Sequence, residues 1–304
     1  SVCGSAVVGL DGYVNPFEEV AAMKQELAVK GDIRVRTDVD PMVQLWTDRP
    51  AIPDNIVCLH PLEYSGEPTE SKLSRVRKHL ESYGADGLLV TALDEIAWLL
   101  NLRGSDVHCN PVFVSYLLIS PENVTLYINN VKLPAEVKTY LASEHIEVES
   151  YEGITDGLRC YSGKGLLIDC SSVNYELVTA VAADKVCTGV SPLVMMKAVK
   201  NKVEQDGFRA AMLRDGIAMV KFLAWLIPAV EAGGQTEMSL DERLTALRAE
   251  QPRFKGISFD TIVGYEAHGA IVHYEATSET DAPVEPRGLV LIDSGAQYLD
   301  GTTD

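Results

Sequence analysis

The 304-residue chain contains no run of 18 consecutive apolar residues, so it offers no segment of the length that a membrane-spanning helix requires. Its opening, Ser1-Val-Cys-Gly-Ser5, lacks a basic region followed by an apolar one, the pattern of a secretory leader. Basic residues are scarce: 26 Lys and Arg stand against 44 Asp and Glu, for a net charge of -18. A surface of that sign repels phosphate backbones and anionic lipid, which excludes nucleic acid and membrane surfaces as partners and leaves solubility as its plain consequence. The six cysteines, at 3, 58, 109, 160, 170 and 187, include no C-x-x-C pair and no tight cluster that would suggest zinc or a redox dithiol. They read as free thiols, because a chain this long does not need disulfides to fold, and a cytoplasmic setting is expected. Phosphate-cradling loops, dinucleotide fingerprints, serine nucleophile elbows and the EF-hand pattern are also absent.

What is present is ordinary globular composition, 46% hydrophobic and 23% charged. At roughly 150 residues per domain the length gives two domains, with room for a third that is short or cut. Val7 to about Tyr64 reads as a strand, a helix from Asn15 to Val29 opened by Pro16, Glu18 and Glu19, a short strand at Ile33–Val35, and a proline-punctuated stretch from Trp46 to Pro53. An α/β unit follows. It has a helix from Glu70 to Tyr83 stopped by Gly84, a buried strand Gly87–Val90, a short helix Asp94–Leu100, and a hairpin of Val112–Ile119 with Val124–Ile128. A helix Pro134–Ser143, strands at Ile146–Val148 and Leu166–Asp169, and a helix Asn174–Ala183 complete it.

Residues 189–197 read as a linker. A long helix then runs from Lys202 to Val230, with Pro228 expected to kink or end it and Gly233-Gly234 beyond. A second helix, Ser239–Glu250, carries Ser239 and Glu242 as a capping box. Extended segments at Phe259–Val263, Ala270–Tyr274 and Leu289–Ile292 complete an α+β layer.

The strongest local signal is Asp293-Ser-Gly-Ala-Gln-Tyr-Leu-Asp300-Gly301-Thr-Thr-Asp304. Asp300-Gly301 between two extended runs reads as a two-residue hairpin turn. That turn sets Asp304 across from Gln297, on the face that alternation gives to Asp293. Two carboxylates at the end of an apolar strand need a cation, and hard divalent ions such as Mn²⁺ or Mg²⁺ suit them. In a regular hairpin of this register they are offset by four residues, roughly 13 Å, so the reading requires an irregularity near Gly295. The plainer reading makes Asp293 and Asp300 turn residues and Asp304 a solvated edge.

This segment resembles the metal-binding hairpin of the cytosolic, three-domain aminopeptidase P family, members of the pita-bread metallopeptidases. The spacing of 304 − 293 = 11 matches that family's two metal-ligand aspartates. Upstream, Thr91–Val107 with Asn110-Pro-Val-Phe113 resembles the family's middle domain, Lys197–Asn201 the entry to its catalytic domain, and Trp46–Pro50 the end of its first domain.

The resemblance implies creatinase-like N-terminal α/β domains followed by the first half of a pita-bread catalytic domain. The expected division is a first-domain remnant at 1–64, a second N-terminal domain at 65–195 and an incomplete metallopeptidase domain at 196–304, cut at both ends. It implies a two-metal site, most simply Mn²⁺, with Asp293 holding one ion near the substrate's free amino group and Asp304 bridging both. His273, 20 residues before Asp293, would contact the scissile peptide or the charge developing on it. One histidine and two glutamate ligands would lie beyond Asp304.

The implied activity is removal of the N-terminal residue from peptides with proline second, by a homodimer when intact, with the fragment itself inactive. A prolidase, a metal-free creatinase-like enzyme and a pita-bread peptide- or protein-binding module without catalysis are the rivals. The remnant at 1–64 counts against the first, and the two aspartates against the others. His60, His79, His108, His145 and His268 read as packing residues, and Trp98 and Arg103 as a core aromatic and a buried ion pair.

Overall fold

The computed structural model describes residues 5–304, so the opening residues Ser1–Gly4, Cys3 among them, lie outside the described residues. The chain resolves into two compact units. One comprises residues up to Leu59 with 68–106 and 112–199; the other comprises 60–67, 107–111 and 200–304.

The first unit opens with β1 (Ala6–Gly9), α1 (Phe17–Lys30) and β2 (Ile33–Arg36), and β1 pairs in parallel with β2. Pro16 precedes the helix in an extended conformation, with Glu18 and Glu19 in the first turn as the sequence leads one to expect. Phe17 stacks on Tyr175 at 5.6 Å, joining this motif to the rest of its unit. After β3 (Cys58–Leu59) the chain passes through α2 (Leu62–Ser65), a short helix of the second unit, and returns as α3 (Thr69–Leu80). Next come β4 (Gly87–Val90), α4 (Leu93–Leu99), β5 (Leu102–Arg103), β6 (Tyr116–Ile119) and β7 (Val124–Tyr127). The unit continues through α5 (Ala135–Ser143), β8 (Ile146–Glu149), α6 (Ile154–Arg159), β9 (Leu166–Ile168), α7 (Tyr175–Ala180), β10 (Val186–Thr188) and α8 (Pro192–Ala198).

Six of these strands form a mixed sheet in the order β10-β9-β4-β6-β7-β8. Its central strands are buried on both faces, which explains why Gly87–Val90 reads as an unbroken apolar run. Leu88, Leu117 and Ile119 enter one hydrophobic cluster with α3, α4 and α5, while Leu89, Leu118 and Ile168 enter another with α6 and α7. Trp98 is a core aromatic, as expected, and Arg103 donates, among its contacts, to the carbonyls of Ala97 and Leu102. The linker expected at 189–197 is instead largely α8, capped by the Ser191 hydroxyl. Leu193 and Met196 bury into the first cluster, and packing makes a helix where the sequence offers only a Pro-containing connector.

In the second unit, α9 (Lys202–Ala232) starts on a reciprocal capping box of Asn201 and Glu204, and α10 (Glu237–Ala249) on one of Thr236 and Ser239. The expected cap at Ser239 is thus three residues late: Ser239 is the far partner of the box. Pro228 does not end α9. The proline and Ala224, whose carbonyl loses its donor, are both exposed, so water can take up the orphaned bond.

Packed on these helices are antiparallel pairs only. β12 (Ile262–Tyr265) runs against β13 (Val290–Asp293), and β11 (Phe254–Ile257) against β14 (Ala296–Tyr298), which pairs in turn with β15 (Gly301–Thr302). Arg248 of α10, 1% exposed, grips Asp215 of α9 through two bonds of 2.8 and 3.0 Å, and the Tyr298 hydroxyl donates to the same carboxylate at 3.0 Å. Burial and the Asp215 charge push that phenol well above its usual range, so it stays a donor.

The first unit also contains a buried ion pair. Lys132 and Asp106 are enclosed, and Asp106 accepts a further bond from the Val114 amide at 2.6 Å. Removing one member of such a pair strands the other charge. Lys132→Ala should cost about 3–5 kcal/mol in chemical denaturation, and a midpoint unchanged from the parent chain would show that the pair carries no such weight.

Candidate metal centre

Asp293 is the last residue of β13, paired with Ile262 of β12. Two residues later the chain joins the other sheet as β14, whose register with β15 sets Gln297 opposite Thr302 and Tyr298 opposite Gly301. The two-residue turn is therefore Leu299-Asp300, and the expected turn at Asp300-Gly301 is corrected by one residue. The ladder continues with Thr303 donating its amide to the Ala296 carbonyl at 2.9 Å. Counted on past the end of β15 in the same register, Asp304 comes level with Gly295 and not Gln297.

This single shift halves the offset that the sequence implies, from four residues to two, about 7 Å along a strand. The irregularity required near Gly295 is the change of sheet between β13 and β14. Gly295 is buried, and a Cβ there would overlap the Thr303 carbonyl oxygen and the Ser258 hydroxyl, so only glycine lets the two arms come this close.

The register has an electrostatic cause. Asp300 is buried in the turn and is gripped by both Arg214 of α9 and Arg253. Its backbone carbonyl lies so close to Gly207 that no side chain could stand there. Of the three aspartates in the segment, Asp300 is thus fully neutralised from within. Asp293 and Asp304 are both exposed, and no hydrogen bond or ion pair involves either side chain among the described residues. A pair of unpaired carboxylates beside one that the protein neutralises itself is a donor set suited to hard divalent cations.

His273 does not lie on a strand. In place of the expected extended segment Ala270–Tyr274, the chain forms a 3-10 turn at Glu266–Ala270 and then an irregular arch, with His273 exposed at φ +54. Its neighbours explain the arch. Glu237, at the start of α10 and wholly buried, accepts bonds from the Tyr265 amide (2.7 Å), His268 Nδ1 (2.9 Å), the Tyr274 hydroxyl (3.0 Å) and the Ala282 amide (3.1 Å). The His268 and Tyr274 rings lie 4.5 Å apart. One carboxylate thus ties down both ends of the segment that presents His273. Sequence reasoning missed Glu237, because the helix start was placed at Ser239 and left Glu237 outside the helix.

Residues 48–204 match the creatinase/prolidase N-terminal domain family, and residues 206–304 match metallopeptidase family M24. The chain is 36% identical to a probable Xaa-Pro aminopeptidase P of Leptosphaeria maculans over 99% of its own length and 52% of that protein. It is likewise 36% identical to Xaa-Pro aminopeptidase 1 of Dictyostelium discoideum, over 98% of the chain and 49% of that protein. The chain therefore spans about half the length of the curated relatives it matches. Its fold superposes on the X-prolyl aminopeptidase of Caenorhabditis elegans, described as a cytosolic enzyme with a di-nuclear active site, with a TM-score of 0.93 at 27% identity. That match covers 99% of this chain and 51% of the other. A Xaa-Pro dipeptidase from Bacillus anthracis shares the fold at a TM-score of 0.58 and 19% identity, over 76% of this chain and 62% of its own.

Glu237→Ala would leave several buried donors unanswered, each costing about 1–3 kcal/mol. We expect at least about 2 kcal/mol of destabilisation on that basis, with faster hydrogen exchange at the Tyr265 and Ala282 amides. Unaltered exchange at both amides would show that Glu237 does not hold the His273 segment.

Proposed function

The chain belongs to the family that joins a creatinase/prolidase N-terminal domain to a metallopeptidase family M24 domain, and from that premise we propose that the intact protein is a Xaa-Pro aminopeptidase. The observation that carries the proposal is the hairpin register. It brings Asp304 opposite Gly295 and leaves Asp293 and Asp304 without internal partners, while Asp300 is neutralised by Arg214 and Arg253. The substrates are peptides with proline in second position, and the product is the released N-terminal amino acid. Residues 1–64 are a remnant of a first creatinase-like domain, 65–195 a second, and 196–304 the first half of the pita-bread domain. The intact protein works as a cytoplasmic homodimer.

Asp293 and Asp304 would hold two divalent cations, Mn²⁺ being among the ions that carboxylate oxygens suit and the one the family resemblance implies. When bound, such a pair lowers the pKa of a shared water and polarises a carbonyl. Asp293 orients the substrate's free amino group by charge. Asp304 would be the carboxylate shared between the ions, as the family resemblance implies. His273, held out on the arch that Glu237 anchors, donates a hydrogen bond to the oxygen of the scissile carbonyl. Such a donor helps most where charge grows toward the transition state. A histidine and two glutamates from chain beyond Asp304 would complete the ligand set, so the 304-residue chain alone is inactive.

The test compares this chain with a longer form that includes at least a further ~150 residues, about one domain's worth. After chelator treatment and reloading with Mn²⁺, the longer form should release the first residue of a Xaa-Pro peptide, and the 304-residue chain should not. In the longer form, Asp304→Asn should reduce turnover by more than about 100-fold, since loss of an outer-shell partner alone costs about 10–100-fold. Undiminished turnover in that variant, or Xaa-Pro cleavage by the short chain, would overturn the reading.

A further inference from the structure

Away from the two unpaired aspartates, the second unit assembles a different set of donors. Val107 and Asn110 form an isolated bridge that closes a tight turn with His108 and Cys109 at its centre. Cys109 sits at φ +59, a left-handed conformation costing about 1–2 kcal/mol in a residue with a Cβ. Strain of this kind persists only where the surroundings enforce it, and it collects at functional sites. Here the enforcement is visible: the Gln297 side-chain amide donates to the Cys109 carbonyl at 3.0 Å. Asp260, from the connection between β11 and β12, completes the set, with His108 Nε2 2.7 Å from its carboxylate. One nitrogen, one sulfur and one oxygen ligand atom, from His108, Cys109 and Asp260, all lie within 4.8 Å of one another. They line an open cleft of about 500 Å³ together with Ser258, Phe259 and Gln297.

We propose that His108, Cys109 and Asp260 form a binding site for a thiophilic divalent cation of the Zn²⁺ type, separate from the Asp293 and Asp304 carboxylates. The donor set decides the class of ion. Imidazole and thiolate select borderline-soft metals, whereas Asp293 and Asp304 offer only hard oxygens. Around a tetrahedral ion with ordinary bond lengths the ligand atoms stand about 3.3–3.8 Å apart, so the 2.7 Å hydrogen bond between His108 and Asp260 has to open by under about 1 Å while the wider separations close by no more than about 1.5 Å. Three protein ligands leave a fourth position for water, which the cleft has room to hold. Binding exchanges the Cys109 thiol proton for the cation, the proton passing to solvent and the sulfur–metal bond forming in its place, with no change of oxidation state. Without a cation, burial first and the Asp260 charge second push that thiol above its ordinary value, so a bound positive ion is what would make the sulfur a ligand. The proposal stands independently of the peptidase reading.

The reduced, chelator-treated chain is titrated with Co²⁺, which reports sulfur ligation through a thiolate-to-cobalt charge-transfer band in the near ultraviolet. One ion per chain should produce that band, and Zn²⁺ should abolish it by displacement. Cys109→Ser should remove the band while leaving the circular dichroism unchanged, and His108→Ala and Asp260→Asn should each weaken binding by more than about 100-fold. The Asp293→Asn/Asp304→Asn double variant should keep the band. Absence of any band in the parent chain overturns the proposal. So does a band that survives Cys109→Ser, which would come from another thiol, or one lost in the double variant, which would belong to the aspartate pair.

Discussion

The candidate centre depends on the burial of one carboxylate in a turn. Asp300 is held by Arg214 from the long helix α9 and by Arg253 from the start of β11, and its carbonyl fills the space left by Gly207. A charge so enclosed tolerates no slippage, because moving the turn by one residue would leave two arginines facing no anion and one aspartate stranded. That constraint fixes Leu299-Asp300 as the turn, and with it the pairing of every residue up to Thr303. Period-two alternation then gives the position of Asp304. The ion pairs that hold the turn engage Asp300 alone and leave the carboxylates of Asp293 and Asp304 without a partner among the described residues.

Around this turn the second unit is unusually polar inside. Arg248 and Asp215 cross-link the two helices, Tyr298 of β14 joins them, and Glu237 anchors the arch that carries His273. Buried polar groups of this kind are costly where one is left unpaired, as Arg248 Nη1 is, but the bonds that the others make select one arrangement over its near-equivalents. Here they set the relation of two short sheets to the helices beneath, a relation that strands of two to four residues could not fix by apolar packing alone. The first unit adds to its own buried pair of Lys132 and Asp106 a sheet sealed on both faces by leucine, isoleucine and valine.

Much of the architecture was legible in the sequence because its signals are local. The buried strand Gly87–Val90, the hairpin around Pro121, the start of α9 at Lys202 and the antiparallel layer beside two helices all follow from hydrophobic period and local turn and helix signals. The misplacements share a cause. α8 forms in an apparent linker because Leu193 and Met196 find a core, α9 continues through Pro228 because the orphaned carbonyl faces water, and α10 begins at Glu237 because Thr236 caps it with Ser239 as its reciprocal partner. The segment at His273 reads as a strand by composition but is pulled into an arch by bonds to a residue more than 30 positions away.

The sequence by itself determined the family resemblance, the order of helices and strands, and the spacing of Asp293 and Asp304, since motif and periodicity are properties of neighbouring residues. Only the tertiary structure decided which aspartate is neutralised, which residue pairs with which across the hairpin, and that His108 and Cys109 meet Asp260, more than 150 positions further along. Those outcomes rest on charge pairing and close approach between segments remote in the chain, and no local pattern encodes which distant partner will arrive.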